Sequence, residues 1–405
     1  MKYLFYLEPY SFLFRNESEA VVYNTINSAY IPCLNMDNPY MQKIIDAWED
    51  SSNGYGIVLD DTAIYDHSTK KFIEDIRNSF SGDCIPWDPT LDKPYIFKPQ
   101  LFLNIDIRAR NSRNALGVFV LHNLHEVTLY LPSGCKSGCK DCTEFYKQFN
   151  HCTQVNEGYL QLEYYQNLLS LFQKNGIQKV NFIGGDLRGN RYLQTLLNEN
   201  VSSSFKKIVY LNYKHINGFE WEMITKSQSE TVVLIDSDDL GRIEKLPDID
   251  NVQWNIVVAL ESDLERINAL PQIENKKTKI LPFYNGENLD FFAENVFMEL
   301  DDIIEKPIDR KNIFRHQTLN DNFFGKLFIM PSGDVYSNLL MPPIGNLSTC
   351  TIKELVYKEL DEGNVWLKIR NTVTPCKNCL NKDLCPSISN YEFVIGKYNL
   401  CHVKP

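Results

Sequence analysis

Between Leu121 and Leu300, short apolar runs alternate with amphipathic stretches: "EVTLYLPSG", "LEYYQNLLSLFQKNG", "KVNFIGGD", "RYLQTLLNEN", "KIVYLNY", "FEWEMITKS", "TVVLIDSDD", "VQWNIVVALES", "DLERINAL", "TKILPFYN" and "NLDFFAENVFMEL". Strands covered on both faces read as near-continuous apolar runs. Strands that alternate with helices imply parallel βαβ units. Gly176 closes the first helix, because glycine tolerates the backbone turn at a helix end. The expected fold class is therefore α/β. Six strands in one run suit a partial (β/α)6 barrel, with a doubly wound open sheet as the alternative. In either case, working side chains belong at the C-terminal ends of the strands.

The 405 residues leave room for more than this unit. We expect four segments: residues 1–85, a linker over 86–120, the α/β unit over 121–310 and a C-terminal extension over 311–405. In the first, "YSFLFRNESEAVVYNTINSAYIP" and "GYGIVLDD" read as strands. "NPYMQKIIDAWED" puts Met41, Ile44, Ile45 and Trp48 on one helical face, with Pro39 at the helix start. "TKKFIEDIRNSF" is a second amphipathic helix, and together these pieces make a small winged-helix-like unit. The linker "CIPWDPTLDKPYIFKP" is too rich in proline for one regular element. Its Trp87 and Tyr95 are candidate anchors. In the extension, "GKLFIMPSGDVYSN" predicts a hairpin turning at Ser332-Gly333. "TIKELVYKELDEGNVWLKI" predicts a helix and "TPCKNCLNKDLCPSISNYE" a loop.

The net charge of -11 argues against nucleic acid or an anionic membrane as a partner. No apolar run is long enough to span a bilayer. Glu8 interrupts the apolar opening segment, and no small-residue cleavage site follows it. These features predict a cytoplasmic protein whose eleven cysteines are reduced or metal-bound. Cys33, Cys84, Cys152 and Cys350 are scattered and read as small buried hydrophobes. The other seven are clustered.

"YLPSGCKSGCKDCTEF" spaces Cys135, Cys139 and Cys142 as C-x3-C-x2-C, just after the first strand of the α/β unit. Three thiolates on one loop can hold three corners of a 4Fe-4S cluster and leave one iron open. A zinc site completed by His151 has the same spacing available, and free thiols are a third reading.

The motif and its place resemble the radical S-adenosylmethionine enzymes. Asn181 to Asp186, "NFIGGD", ends the next strand, where that family carries Gly-Gly-Glu. The resemblance implies a radical-SAM-type barrel in which Cys135, Cys139 and Cys142 bind the cluster. Gly184, Gly185 and Asp186 would orient the cofactor's methionine amino group. A tight turn is the plainer reading of the two glycines. Asp236 and Asp238, in "LIDSDD", read as solvated turn residues, with contact to the cofactor ribose as the alternative.

Cys376-x2-Cys379-x5-Cys385, followed by Cys401, resembles the SPASM extension of peptide-modifying members of that family. Two thiols of that pattern are absent, their positions holding Asn338 and Ser389. The resemblance implies one auxiliary 4Fe-4S cluster on Cys376, Cys379, Cys385 and Cys401. A zinc knuckle on the same four thiols is the alternative. The chain is similar to Bacteroidales-type radical SAM/SPASM proteins of ribosomal peptide maturation, some described as "pseudo" enzymes. That likeness implies modification of a precursor peptide through a 5′-deoxyadenosyl radical. The leader would be read by the N-terminal unit, and a flavodoxin or ferredoxin would act as reductant. Two departures, Asp141 before the third cysteine and Asp186 in place of Glu, leave open a partner that binds peptide with weakened catalysis.

Overall fold

The computed structural model describes residues 1–50, 56–90, 119–153, 158, 160–198, 205–236, 239–240, 251–269 and 277–403. Tyr95 and Asp238 lie outside them.

The N-terminal part builds two antiparallel sheets from β1 (Lys2–Leu7), β2 (Ser11–Arg15), β3 (Ala20–Asn24), β4 (Tyr30–Pro32), β5 (Gly56–Asp60) and β6 (Gly82–Pro86), in the orders β5-β1-β6 and β2-β3-β4. The helix Pro39–Glu49 starts at its proline, capped by the Asn38 side chain, and buries Met41, Ile44, Ile45 and Trp48 as its periodicity predicts. β1 is an addition to the sequence reading. Leu4, Phe5 and Leu7 are all buried, so the strand lacks the alternation that marks a half-exposed one. β6 takes up the start of the expected linker, with Pro86 as its last residue.

β3 is buried along its whole length because its two faces meet different cores. Ala20 and Val22 join Phe5, Trp48 and Phe72. Val21 and Tyr23 pack on Ile303, Ile308, Ile313, Leu384 and Cys385 of the C-terminal part. The Tyr23 hydroxyl accepts from the Ile308 N–H at 3.0 Å, and the Tyr30 hydroxyl donates to Asn381 Oδ1 at 2.9 Å.

The large sheet holds β7 (Glu126–Tyr130), β8 (Lys179–Ile183), β9 (Lys206–Asn212), β10 (Glu230–Ile235), β11 (Val252–Val258), β12 (Thr278–Pro282), β13 (Lys326–Ile329), β14 (Asp334–Tyr336) and β15 (Gly345–Asn346). Its order is β12-β11-β10-β9-β8-β7-β13-β14-β15. All six expected strands are present, consecutive and parallel. β13 joins β7 in parallel, and β14 and β15 follow antiparallel.

Alternate residues face two different cores, as the period of a strand requires. Val127, Leu129, Val180, Phe182, Val209, Leu211, Val233 and Ile235 pack with the crossover helices Leu162–Lys174, Arg191–Asn198, Trp221–Lys226 and Glu261–Asn268. Tyr130, Ile183, Ile208, Tyr210, Val232 and Leu234 face the other way, onto Tyr146 and Phe149. A doubly wound sheet distributes its crossover helices over both faces. Here the described ones share a single face.

Four local expectations change. The helix predicted from Thr351 ends at Glu362, because Gly363 turns left-handed at φ 64°. "NLDFFAENVFMEL" splits into Leu289–Asn295 and Leu300–Ile304. Cys142–Gln148 and Arg310–Thr318 are helices that the sequence reading did not assign. The cysteine-rich tail contains a 3-10 turn at Cys376–Asn378. The hairpin turns as expected, with Gly333 at φ 79°.

Candidate functional site

The cysteine loop leaves the C-terminal end of β7 and is pinned to the end of β8 by backbone bonds. The Leu131 N–H donates to Ile183 O at 2.6 Å, and the Asp186 N–H to Gly134 O at 2.9 Å. The Gly185 N–H donates to Ser133 Oγ at 2.6 Å. A Cβ on Gly184 would sit 2.4 Å from Ser133 Oγ and 2.6 Å from Leu187 Cδ2. One on Gly185 would sit 2.7 Å from Ser133 O and 3.1 Å from Cys135 Cβ. The two glycines are therefore what allows the thiol loop and the next strand end to touch.

Cys142 is buried at the start of the helix Cys142–Gln148, while Cys135 and Cys139 are half-buried. The end of β9 supplies two basic residues. Cys135 Sγ lies 3.5 Å from His215 Nε2, which also meets Ser137 Oγ at 3.0 Å. Lys214 Nζ donates to Cys139 Sγ at 3.3 Å and pairs with Asp239 at 3.2 Å and Asp236 at 3.7 Å. Burial and the Asp236 charge push the Cys139 thiol up to about 11, against the pull of Lys214.

Asp236 is not a solvated turn residue; its side chain is 3% exposed. It accepts from His151 Nε2 at 3.0 Å and from Asn212 Nδ2 at 3.1 Å. His151 is fully buried, and its Nδ1 faces Cys152 O at 3.0 Å and Cys152 Sγ at 3.4 Å. Both ring nitrogens are thus engaged, which removes His151 as a ready zinc ligand. Burial disfavours its charged form, but the Cys152 sulfur and Asp236 outweigh that and hold its pKa well above the ordinary value.

Asp186 already has a partner. Arg188 Nε and Nη2 grip its carboxylate at 2.9 and 2.5 Å and keep its pKa below the usual range. The Arg188 side chain is 40% exposed and Asp186 27%.

The C-terminal cysteines lie in a different environment. Burial raises the pKa values of Cys376 and Cys379 and pushes Cys385 up to about 12; each also feels the charge of Cys401. These four thiols fall within 26 positions of the sequence (376 to 401). Arg370 sits beside them. Its Nη1 donates to Cys376 Sγ at 3.4 Å and to Glu392 Oε1 at 2.9 Å, and its Nε to Pro386 O at 2.6 Å. The Arg370 and Glu392 side chains are 6% and 3% exposed.

The two positions without thiols carry other work. Asn338 donates to Asn390 Oδ1 at 2.9 Å and accepts from the Leu340 N–H at 2.8 Å. Ser389 caps the helix Asn390–Ile395 in a capping box with Glu392.

Among the described residues, no three His, Cys, Asp or Glu side chains are arranged to hold a single metal ion. Neither thiol group is therefore preformed as a mononuclear zinc site. An iron–sulfur cube spreads its thiolates over separate irons and does not require convergence on one point. The all-thiol donor sets and the glycine cradle around the first loop fit such a cluster.

Sequence reasoning missed Lys214, His215, Arg188 and Arg370. The first two follow β9 directly, so the strand-end rule applied to "VYLNYKH" would have found them. Arg370 carries no local signal. No helix among the described residues is long and apolar enough to cross a membrane.

No curated protein matches the chain. Among solved structures, it is similar to Streptococcus suis SuiB bound to precursor peptide SuiA, at 11% identity and TM-score 0.43 over 98% of this chain and 100% of that one. It is also similar to SuiB bound to S-adenosylmethionine, at 12% identity and TM-score 0.40 over 99% of this chain and 98% of that one. The segment that carries Cys135, Cys139, Cys142 and Gly184 to Asp186, residues 125–254, matches the family model of the 4Fe-4S single cluster domain.

Proposed function

We propose that this chain is a radical S-adenosylmethionine enzyme that modifies a ribosomally made precursor peptide. The observation that carries the reading is the three-thiol loop after β7, held against Gly184-Gly185-Asp186 at the end of β8. Cys135, Cys139 and Cys142 would hold a 4Fe-4S cluster. Cys376, Cys379, Cys385 and Cys401 would hold an auxiliary one. When bound at Cys135, Cys139 and Cys142, the first cluster would supply one-electron reduction for cleaving the sulfonium of S-adenosylmethionine.

The chain's own residues position and balance charge. Gly184 and Gly185 keep the loop close to the strand end. The Asp186 carboxylate would be a partner for the cofactor's amino group once the half-exposed Arg188 is displaced from it. Lys214 sets a cation against the charge of the thiolates. Arg370 does the same at the C-terminal group, where burial would otherwise oppose thiolate formation.

In this reading, residues 121–310 form the barrel and 311–405 the SPASM-like extension. Residues 1–85 capture the leader by adding it as a strand to a small sheet, with 86–120 as linker. A flavodoxin- or ferredoxin-type protein supplies electrons, and the protein works in the cytoplasm. The test is anaerobic reconstitution with iron and sulfide, followed by reductant. Release of 5′-deoxyadenosine is expected; an iron-loaded protein that releases none would sink the catalytic reading.

One observation favours a second reading, a peptide-binding partner with weakened catalysis: Asp186 is already gripped at two points by Arg188. Cofactor binding would then compete with an internal ion pair. The Arg188→Ala variant separates the two readings, since only the second expects it to gain cleavage activity over the parent.

A further inference from the structure

A cavity of about 400 Å³ opens on the face of the large sheet that carries Tyr210 and Phe328, between the starts of several strands and the end of the helix Cys142–Gln148. Glu126 is the first residue of β7, Lys326 the first of β13 and Lys279 the second of β12, and all three line it. None of the clustered cysteines, and neither Asp186 nor Asp236, does so. Its volume is in the range of small-molecule sites, about 300–1,000 Å³.

The charges in this cavity do not cancel. Glu126 is committed to Lys179 at 3.0 Å and to Asn181 Nδ2 at 2.6 Å. Lys326 and Lys279 have no ion-pair partner within 4.0 Å among the described residues. Lys326 is half-buried; desolvation lowers its pKa, Lys179 and Lys279 add to that, and Glu126 and Asp321 offset only part of it. An ammonium held there is stabilised by an anion entering the cavity. The Asn390 amide is already engaged: its Nδ2 donates to Lys147 O and Gln148 O at 2.9 and 3.0 Å, and its Oδ1 accepts from Asn338. Tyr146, Phe149, Tyr210, Phe328 and Tyr391 add aromatic side chains to a wall that also carries amides such as Asn255 and Asn322.

We propose that this cavity binds a carboxylate carried on an aromatic or aliphatic body, with Lys326 and Lys279 on the carboxylate and the ring side chains on the body. Such a carboxylate belongs either to a free small acid or to the C-terminus of a peptide. The proposal is independent of the radical chemistry.

The experiment is calorimetric titration of the full-length chain with two matched pairs. One is N-acetyl-phenylalanine and its amide. The other is an eight-residue peptide ending in Phe with a free or an amidated C-terminus. A charge-assisted contact predicts tighter binding of at least one acid than of its amide, by about tenfold or more. Preference for the small acid alone assigns a metabolite-like ligand, and preference for the peptide acid assigns a terminus; either supports the site. Lys326→Met removes the half-buried charge at similar volume and should erase the preference without lowering the melting temperature. Lys279→Met, on an exposed position, should reduce it several-fold and decides the question if the first variant misfolds. Equal binding of acid and amide in both pairs, or no binding, overturns the proposal. So does an undiminished preference in a folded variant.

Discussion

The two cysteine groups use the same ligand chemistry in opposite settings. The loop at Cys135–Cys142 lies at strand ends, leaves Cys135 and Cys139 half-exposed, and is held mainly by backbone contacts to β8. The C-terminal group has Cys376 and Cys385 buried and Cys379 and Cys401 half-exposed, with the buried Arg370–Glu392 pair beside Cys376 and with Cys385 in a core shared with β2 and β3 of the N-terminal part. We expect the first arrangement to keep its fold when its thiols are removed, since Cys135 and Cys139 are half-exposed. The second should tolerate their loss less well, because Cys376 and Cys385 are also core residues. An open site suits chemistry at a cofactor; a closed one suits electron transfer or holding the lobe together.

The largest effect is expected at the first group. Replacing Cys135, Cys139 and Cys142 by alanine together should abolish cofactor cleavage and leave the thermal midpoint almost unchanged. A large drop in that midpoint would make the loop as structural as the other group. Next, the Glu392→Ala variant leaves Arg370 buried without its partner. It should cost about 3–5 kcal/mol in denaturant unfolding. The equivalent change at the half-exposed pair, Asp186→Ala, should cost no more than about 1 kcal/mol. Similar costs at the two pairs would erase the distinction.

A third effect concerns iron. Two clusters carry about eight irons at four each, so Cys376→Ala with Cys379→Ala should remove about half and loosen the C-terminal lobe. Zinc in place of iron there would end the electron-transfer role and leave the first group's chemistry standing.

The smallest effect is in pH. Burial raises the thiol pKa values of Cys376, Cys379 and Cys385, the last to about 12, and that of Cys139 to about 11. A raised thiol pKa keeps the proton on near neutrality, and iron must displace it. Iron uptake should therefore strengthen as pH rises from about 7 to about 9 and release protons, more steeply at the C-terminal group. Parallel uptake profiles for the two alanine variants would contradict this.

Much of the fold was legible because its signals are local. The six strands of the large sheet are short apolar runs, and the Pro39 helix has a cap, a proline and a clean apolar face. β1 escaped because both of its faces are covered, which removes the alternation that marks a strand. Asp236 was misplaced for a related reason: a run of acids reads as solvated, yet His151, 85 positions away, draws this one inside.

What the sequence alone determined is the inventory: which thiols cluster, which strand each group follows, and which two positions, Asn338 and Ser389, carry no thiol. Those are facts of spacing, and spacing survives without a fold. Tertiary structure decided who meets whom. It set Lys214 and His215 on the loop, closed Arg188 onto Asp186, buried Arg370 against Cys376 and left Lys326 facing a cavity. Each of these depends on desolvation and on charges brought within a few ångströms by packing, and a linear pattern does not encode either.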